Sequence, residues 1–265
     1  MALFAPSRHP NEWRHESRKR LEEEIFNGIV FCGGDFHLWP GYIPVALRAM
    51  YYLAKDLNPT HIIANGDVFD GPGKHPAQHW ESNPSVNAQL EVIDERFTEL
   101  RDCSKNSKHF WLWGNHDYRF EAKLCSQVSE YKGVKGFALP DHFPHWKFGI
   151  SLFINDDVVI KHRFKGGVHA THNNTLHAGR TLVNNHLHSL KVTPFDDYNG
   201  TRYGVDAGTM NDPYGPHAEY TEDNPLNHRS GFAVLTFYKG KLLWPELVHV
   251  LNEDYVQFRG QVIKV

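Results

Sequence analysis

The chain carries carboxylate, amide and imidazole side chains that directly follow short apolar runs. In chain order these motifs are Asp35-Phe36-His37, Gly66-Asp67, Gly114-Asn115-His116-Asp117, His162 and His186-Leu187-His188. Oxygen and nitrogen ligands without sulfur suit divalent cations such as manganese, iron or zinc. Two such cations, about 3.5–4 Å apart, turn a bridging water into hydroxide and clamp the attacking and leaving oxygens at phosphorus. The motifs therefore predict a dinuclear metal centre that hydrolyses phosphoesters.

Strands and helices must bring these motifs together. The apolar runs 29–32, 61–64 and 109–113 end at or just before a glycine-containing motif, which is typical of buried strands that lead into loops. Segments 43–57 and 85–103 have apolar residues at helical spacing. Alternating strands and helices predict a mostly parallel sheet, which binds ligands beyond the carboxyl ends of its strands.

The second half is richer in strands than in helices. Runs 151–154, 158–161 and 232–250 indicate strands, with a hairpin turn at 238–241. The charged segment 11–26 predicts an exposed helix. We therefore expect an N-terminal helical arm at 1–27 and a single domain at 28–265.

Composition narrows the function classes. A net charge of -3 over 265 residues disfavours a broad basic face for nucleic acid, although a local basic groove is compatible with it. Three cysteines without CxxC spacing disfavour a disulfide framework and a thiolate zinc site. There is no membrane-spanning run and no apolar signal-peptide stretch, so we expect a cytoplasmic protein without membrane association. No protein partner is evident.

The ordered motifs D-x-H, G-D, G-N-H-D, H and x-H-x-H resemble those of the calcineurin-like metallophosphoesterase family. The resemblance spans Asp35 to His188 and implies a small, uncapped member of that family. It implies a four-layer α/β/β/α sandwich, an α/β (α+β) fold of two mixed sheets flanked by helices. The resemblance also implies two divalent cations; manganese is expected, with iron, zinc, nickel and magnesium as alternatives.

The resemblance implies a role for each motif residue. One metal would bind Asp35, His37 and His188, the other would bind Asn115, His162 and His186, and Asp67 would bridge the two. His116 would protonate the leaving oxygen and Asp117 would orient His116. His162 has the weakest local support, and His169 and His172 are the competing ligands.

Two departures from the family pattern disfavour protein phosphatase activity. Val68-Phe69-Asp70 follows Gly66-Asp67 where Ser/Thr protein phosphatases have an Arg-Gly pair, and Trp113 occupies the position of their phosphate-binding arginine. A third departure, Asn185 where the family usually has glycine, leaves both histidines in place. We predict a phosphodiesterase acting on nucleic acid or nucleotides, with a phosphomonoesterase as the alternative and a non-catalytic, metal-stabilised binding module as a third hypothesis.

Three features near the motifs stay open. Arg119 either binds a substrate phosphate or braces the following helix. The insert 165–180 is either a lid or substrate rim, or a polar loop joining two ligand-bearing strands. The loop 71–84 carries His75, His79 and Trp80, and the indole either stacks on a base or packs.

Overall fold

A computed structural model describes residues 14–72, 84–215, 218 and 224–265. Within these residues the chain forms two mixed sheets with helices on their outer faces, as predicted. No helix among the described residues has the length and apolar character that a membrane crossing needs.

The first sheet, sheet A, contains six strands among the described residues, in the order β1-β6-β7-β8-β10-β9. Its strands are β1 (Arg20–Glu23), β6 (Ser151–Ile154), β7 (Val158–Ile160), β8 (Thr181–Asn184), β9 (Lys191–Asp197) and β10 (Gly200–Asp206). The β7, β8 and β10 strands are parallel, so their carboxyl ends lie at one edge.

The second sheet, sheet B, has the order β15-β14-β13-β11-β2-β3-β4-β5, with β12 paired to β11. Its first-half strands are β2 (Gly28–Gly33), β3 (His61–Ala64), β4 (Lys108–Leu112) and β5 (Lys147–Gly149). Its second-half strands are β11 (Gly231–Tyr238), β12 (Lys241–Leu242), β13 (Glu246–Val250), β14 (Tyr255–Phe258) and β15 (Gln261–Lys264). The β2 to β5 strands are parallel, whereas β11 to β15 pair antiparallel. The predicted hairpin turn at 238–241 joins β11 to β12, because Tyr238 pairs with Lys241.

Helices cover the outer faces of both sheets. The helices are α1 (Val45–Leu57), α2 (Val86–Cys103), α3 (Tyr118–Gln127) and α4 (Ala170–Ala178). One apolar core joins α1 and α2 to sheet B, a second lies between the sheets, and α4 packs on β8, β9 and β10. The layers are therefore α/β/β/α.

The predicted helical arm is wrong where the structure describes it. Residues 16–18 form a single 3-10 turn, and β1 follows and pairs parallel with β6. Leu21 and Ile25, 8% and 4% exposed, enter the core between the sheets. Burial of these two side chains outweighs the helical propensity of the flanking charged residues, and tertiary contacts commonly override such propensity.

Candidate metal centre

The predicted ligands follow five strands whose carboxyl ends face one cleft between the sheets. In sheet B, β2 leads to Asp35 and His37, β3 to Asp67, and β4 to Asn115. In sheet A, β7 leads to His162, and β8 to His186 and His188. The two sheets therefore each contribute one half of the site.

The histidines and carboxylates form two overlapping groups that suit divalent cations. The ligand atoms of Asp35, Asp67, His162 and His186 all lie within 4.8 Å of one another, as do those of Asp35, His37 and His188. Asp35 belongs to both groups, because its Oδ1 lies 3.0 Å from His188 Nε2 and 3.9 Å from His162 Nε2. Asp67, the predicted bridge, belongs to the first group, with Oδ2 3.2 Å from His162 Nε2.

Partners outside these groups fix the imidazole orientations. The Nδ1 atom of His162 lies 2.8 Å from the Asn65 carbonyl oxygen, and that of His37 lies 3.0 Å from Asp70 Oδ1. The Nδ1 atom of His188 lies 3.2 Å from Nδ1 of His228. A ligand histidine usually donates its second N–H to such a partner, which leaves the Nε2 lone pair for a metal.

Two buried polar atoms point to a cation. His162 Nε2 and Asn115 Oδ1 are buried and have no hydrogen-bond partner among the described residues. The Asp67 carboxylate oxygen lies 3.2 Å from the His162 nitrogen, at ion-pair distance. A buried polar atom without a partner costs free energy, so native structures rarely retain one without a role. Both atoms belong to predicted ligands, and the oxygen and nitrogen donor set fits a divalent cation.

Charged neighbours within the cluster shift the pKa values of Asp35 and His162. Burial alone would raise the pKa of Asp35, but His188 and His162 outweigh it and hold that pKa below its ordinary range. Burial would lower the pKa of His162, yet Asp67 and Asp35 raise it to about 9. The metal-free cluster therefore holds protons where cations would otherwise balance the carboxylates.

The ligand loops have unusual backbone conformations. Left-handed φ angles occur at Asp35, His37, Asp67, His186 and His188, between 40° and 75°. Such angles are uncommon outside glycine, and they cluster at functional sites where surrounding structure holds them. Close approach also requires glycine at one neighbouring position, since a Cβ on Gly114 would lie 2.0 Å from Asp67 Oδ1.

His116 lies beside this cluster and is oriented by Asp70. Its Nδ1 is 3.0 Å from Asp70 Oδ1, the same oxygen that contacts His37. Its backbone N–H donates to Asp67 Oδ1 at 2.8 Å. Arg119 donates to His116 Nε2 at 3.1 Å and to the Asp70 carbonyl at 3.1 Å. The guanidinium thus lies at the site, and His116 Nε2 is the acceptor of its hydrogen bond in this structure.

The prediction that Asp117 orients His116 is not met, because Asp70 makes that contact. The Asp117 carboxylate is fully buried and accepts five hydrogen bonds, from the backbone N–H groups of residues 67, 68, 69 and 114 and from the Trp111 indole. These bonds hold the β3 and β4 loops together. Asp117 therefore shapes the backbone that carries Asp67.

Sequence reasoning missed three supporting residues. Asp70, Asn65 and His228 all contact predicted ligands or His116. Asp70 had one signal, its place three residues after Asp67, whereas His228 lies 40 residues beyond His188 with no motif around it.

The structure describes some of the residues whose roles the sequence left open. Neither competing histidine belongs to the cation-binding group that contains His162. His169 lies at the start of α4, and His172 contacts the Phe195 ring. The insert 165–180 contains α4, so a polar loop is wrong for 170–178. His75, His79 and Trp80 lie outside the described residues.

The comparisons with solved structures show likeness at low identity. Wild-type Vps29 of Entamoeba histolytica complexed with Zn²⁺ is 14% identical, with 89% of this chain and 98% of that chain covered and a TM-score of 0.47. Vps29 of Chaetomium thermophilum is 9% identical, covering 89% and 95%, with a TM-score of 0.44. A protein serine/threonine phosphatase of Saccharomyces cerevisiae is 12% identical, covering 90% and 85%, with a TM-score of 0.40. No curated protein matches the chain.

The family comparison covers most of the chain. The model of the calcineurin-like phosphoesterases matches residues 29–255, which include every predicted ligand. The chain belongs to the calcineurin-like phosphoesterase family.

Proposed function

We propose that this chain is a metal-dependent phosphoester hydrolase with two divalent cations, one held by Asp35, His37 and His188 and the other by Asn115, His162 and His186. One observation carries the proposal: the histidines and aspartates of this set converge from both sheets, and His162 Nε2 and Asn115 Oδ1 are buried without hydrogen-bond partners among the described residues. When bound, the cations would supply Lewis-acid polarisation of the phosphoryl group and a water that is acidic near neutral pH.

The chain's own residues orient the ester and move the proton. In this proposal Asp67 would bridge the two cations, and its Oδ2 lies 3.2 Å from Nε2 of His162, a proposed ligand of one of them. His116 donates a proton to the leaving oxygen, and Asp70 holds its ring. Arg119 leaves His116 Nε2 when a phosphate enters and binds the phosphoryl oxygens, since a guanidinium suits that group. Nε2 then takes up a proton from solvent, and this is the proton that His116 gives to the leaving oxygen.

We propose a phosphodiester, in nucleic acid or in a nucleotide, as the preferred substrate, with manganese as the expected cation. A diester carries one negative charge at phosphorus and needs fewer cationic contacts than a monoester dianion. Arg119 is the guanidinium that contacts His116, and Trp113 is 4% exposed where a protein phosphatase has arginine. A phosphomonoesterase is the alternative.

The test compares bis-p-nitrophenyl phosphate with p-nitrophenyl phosphate, with Mn, Ni, Zn and Mg added separately. We expect metal-dependent turnover that is faster for the diester and is abolished by EDTA. Asp67→Asn should retain the fold, abolish turnover and lower bound metal measured by elemental analysis. Equal or faster turnover of the monoester would contradict the substrate preference, and unchanged activity of Asp67→Asn would contradict its bridging role.

A further inference from the structure

A pocket opens beside the candidate metal centre, between the segment after β7 and the helix α4. It has a volume of about 300 Å³, at the lower end of small-molecule sites. The residues that define this α4 pocket are Arg163, Phe164, Lys165, Asn174, Asn184 and His186. His186 also belongs to the cation-binding group, so the pocket and the metal centre share a wall.

The pocket has an ordered inner wall. Asn174 is 3% exposed, and its side chain bonds the N–H and the carbonyl of Lys165 at 3.2 Å and 3.0 Å. Asn184 donates to the Lys161 carbonyl at 2.9 Å. Helix α4 itself lies close against β10, because a Cβ on Gly204 would be 2.1 Å from the Thr171 carbonyl oxygen. The loop that carries Lys165 is therefore held in place from both sides.

The outer rim combines positive charge with an aromatic ring. Arg163 and Lys165 are exposed and form no ion pair with a carboxylate of the described residues. Phe164 is 43% exposed, and the Lys161 ammonium lies 5.5 Å from its ring centroid.

The pocket is also lined by one carboxylate, Asp206, which forms no ion pair with Arg163 or Lys165. Asp206 is 2% exposed, at the pocket floor, and its Oδ1 accepts the N–H groups of Ser189 and Gly208 at 3.1 Å and 3.0 Å. Its Oδ1 is thus engaged by backbone N–H groups of the fold, whereas Arg163 and Lys165 are exposed.

We propose that the α4 pocket binds the nucleotide unit adjacent to the scissile phosphodiester, with its base on Phe164 and its phosphate on Arg163 and Lys165. Aromatic rings flanked by cations bind single-stranded nucleic acid in this way, since every base has a π-face and every unit a phosphate. The assignment rests on the proposed function, because the shared wall at His186 matters only if hydrolysis occurs there.

The test measures binding without turnover. A five-nucleotide oligothymidylate is titrated into the protein in EDTA by calorimetry, at several salt concentrations. Arg163→Ala/Lys165→Ala should weaken binding at least tenfold and reduce the slope of log K against log salt by about 0.7, because one phosphate of a single strand is no longer neutralised. Phe164→Leu should weaken binding about tenfold with little change in that slope.

The matched control removes two lysines on the far side of the molecule, Lys55→Ala/Lys264→Ala, on α1 and β15. It should leave affinity and slope unchanged, and thermal unfolding should show that all variants are folded. The proposal is overturned if the wild type does not bind the oligonucleotide, if the control pair weakens binding equally, or if a phosphoserine peptide of equal charge binds as tightly.

The two proposals fail in different ways. If no phosphoester is hydrolysed but the oligonucleotide binds through Arg163, Phe164 and Lys165, the hydrolase proposal fails and the pocket assignment stands as a binding site. If diesters are hydrolysed but the variants bind the oligonucleotide as the wild type does, the pocket assignment alone is overturned.

Discussion

Asp70 links the two chemical tasks of the site. One carboxylate oxygen lies 3.0 Å from Nδ1 of His37, a proposed metal ligand, and 3.0 Å from Nδ1 of His116, the proposed acid. Burial would raise the pKa of Asp70, but its hydrogen bonds to His116 and His37 hold it well below its ordinary range. A carboxylate that stays ionised can accept from both rings at once.

Asp70→Asn should therefore weaken both tasks. The amide accepts less strongly than a carboxylate, so we expect metal affinity to fall about 10- to 100-fold, as for other outer partners of ligand histidines. Turnover should fall most for substrates with poor leaving groups, which need the proton from His116. Metal titration and a leaving-group series measure the two effects separately.

The control for this variant is Asp102→Asn on the exposed surface of α2, which should change neither quantity. A loss of turnover that is uniform across leaving groups would contradict the role of Asp70 in orienting an acid.

At the scale of elements, β1 is a strand although the charged composition of its segment favours a helix. Leu21 packs in the core between the sheets and against β5, where a Cβ on Gly149 would lie 2.5 Å from the Leu21 side chain. Glu22 of β1 is exposed, Glu23 pairs with Lys108, and Arg20 lies 4.0 Å from the Phe153 ring centroid. Long-range pairing with β6 decides the conformation.

Leu21→Ala should destabilise the protein by about 2–5 kcal/mol, the usual range for a buried leucine truncated to alanine. Chemical denaturation monitored by tryptophan fluorescence gives the free energy of unfolding. Leu251→Ala, at a leucine that is 43% exposed, is the matched control and should cost less than about 1 kcal/mol. Equal losses in both variants would contradict the packing of β1.

At the scale of the whole molecule, the site joins the two sheets, and protons and cations compete for it. His162 comes from sheet A, whereas Asp35 and Asp67, which raise its pKa to about 9, come from sheet B. A histidine whose pKa is higher in the folded chain stabilises the fold below its unfolded pKa of 6.5, and this contribution is lost as pH rises through about 9. The nearby His228, whose pKa is lowered to about 4, is neutral in the folded chain over that window and loses its proton in the unfolded chain as pH rises past 6.5, so it opposes the effect only at the lower end of the window.

The metal-free protein should therefore lose thermal stability between pH 6.5 and 9, by roughly 5 °C in melting temperature. Saturating manganese should reverse the trend, because deprotonated ligands bind metal more tightly as pH rises. Differential scanning fluorimetry in EDTA and in manganese measures both slopes. His162→Gln should flatten the metal-free slope, and a slope that persists in that variant would assign the effect to other groups.

The sequence by itself determined the strand-and-helix order from β2 to β4, the motifs at the strand ends and the family. The strands were predictable because a buried strand that ends in a glycine-containing loop appears in the sequence as a short apolar run followed by glycine. The ligands were predictable because a metal site needs aspartate, asparagine or histidine side chains, which the sequence shows directly. Asn115 lies in the local motif Gly114-Asn115-His116-Asp117, whereas His162 has only its place after a strand and takes its role from the family resemblance.

Only the tertiary structure decided which groups support the ligands. Asp70 rather than Asp117 contacts His116, Asp35 lies between both cation groups, and β1 is a strand. These facts depend on contacts between distant parts of the chain, such as the 151 residues that separate Asp35 from His186. Local propensity and spacing carry no information about such contacts, because they arise when two sheets close around one cleft.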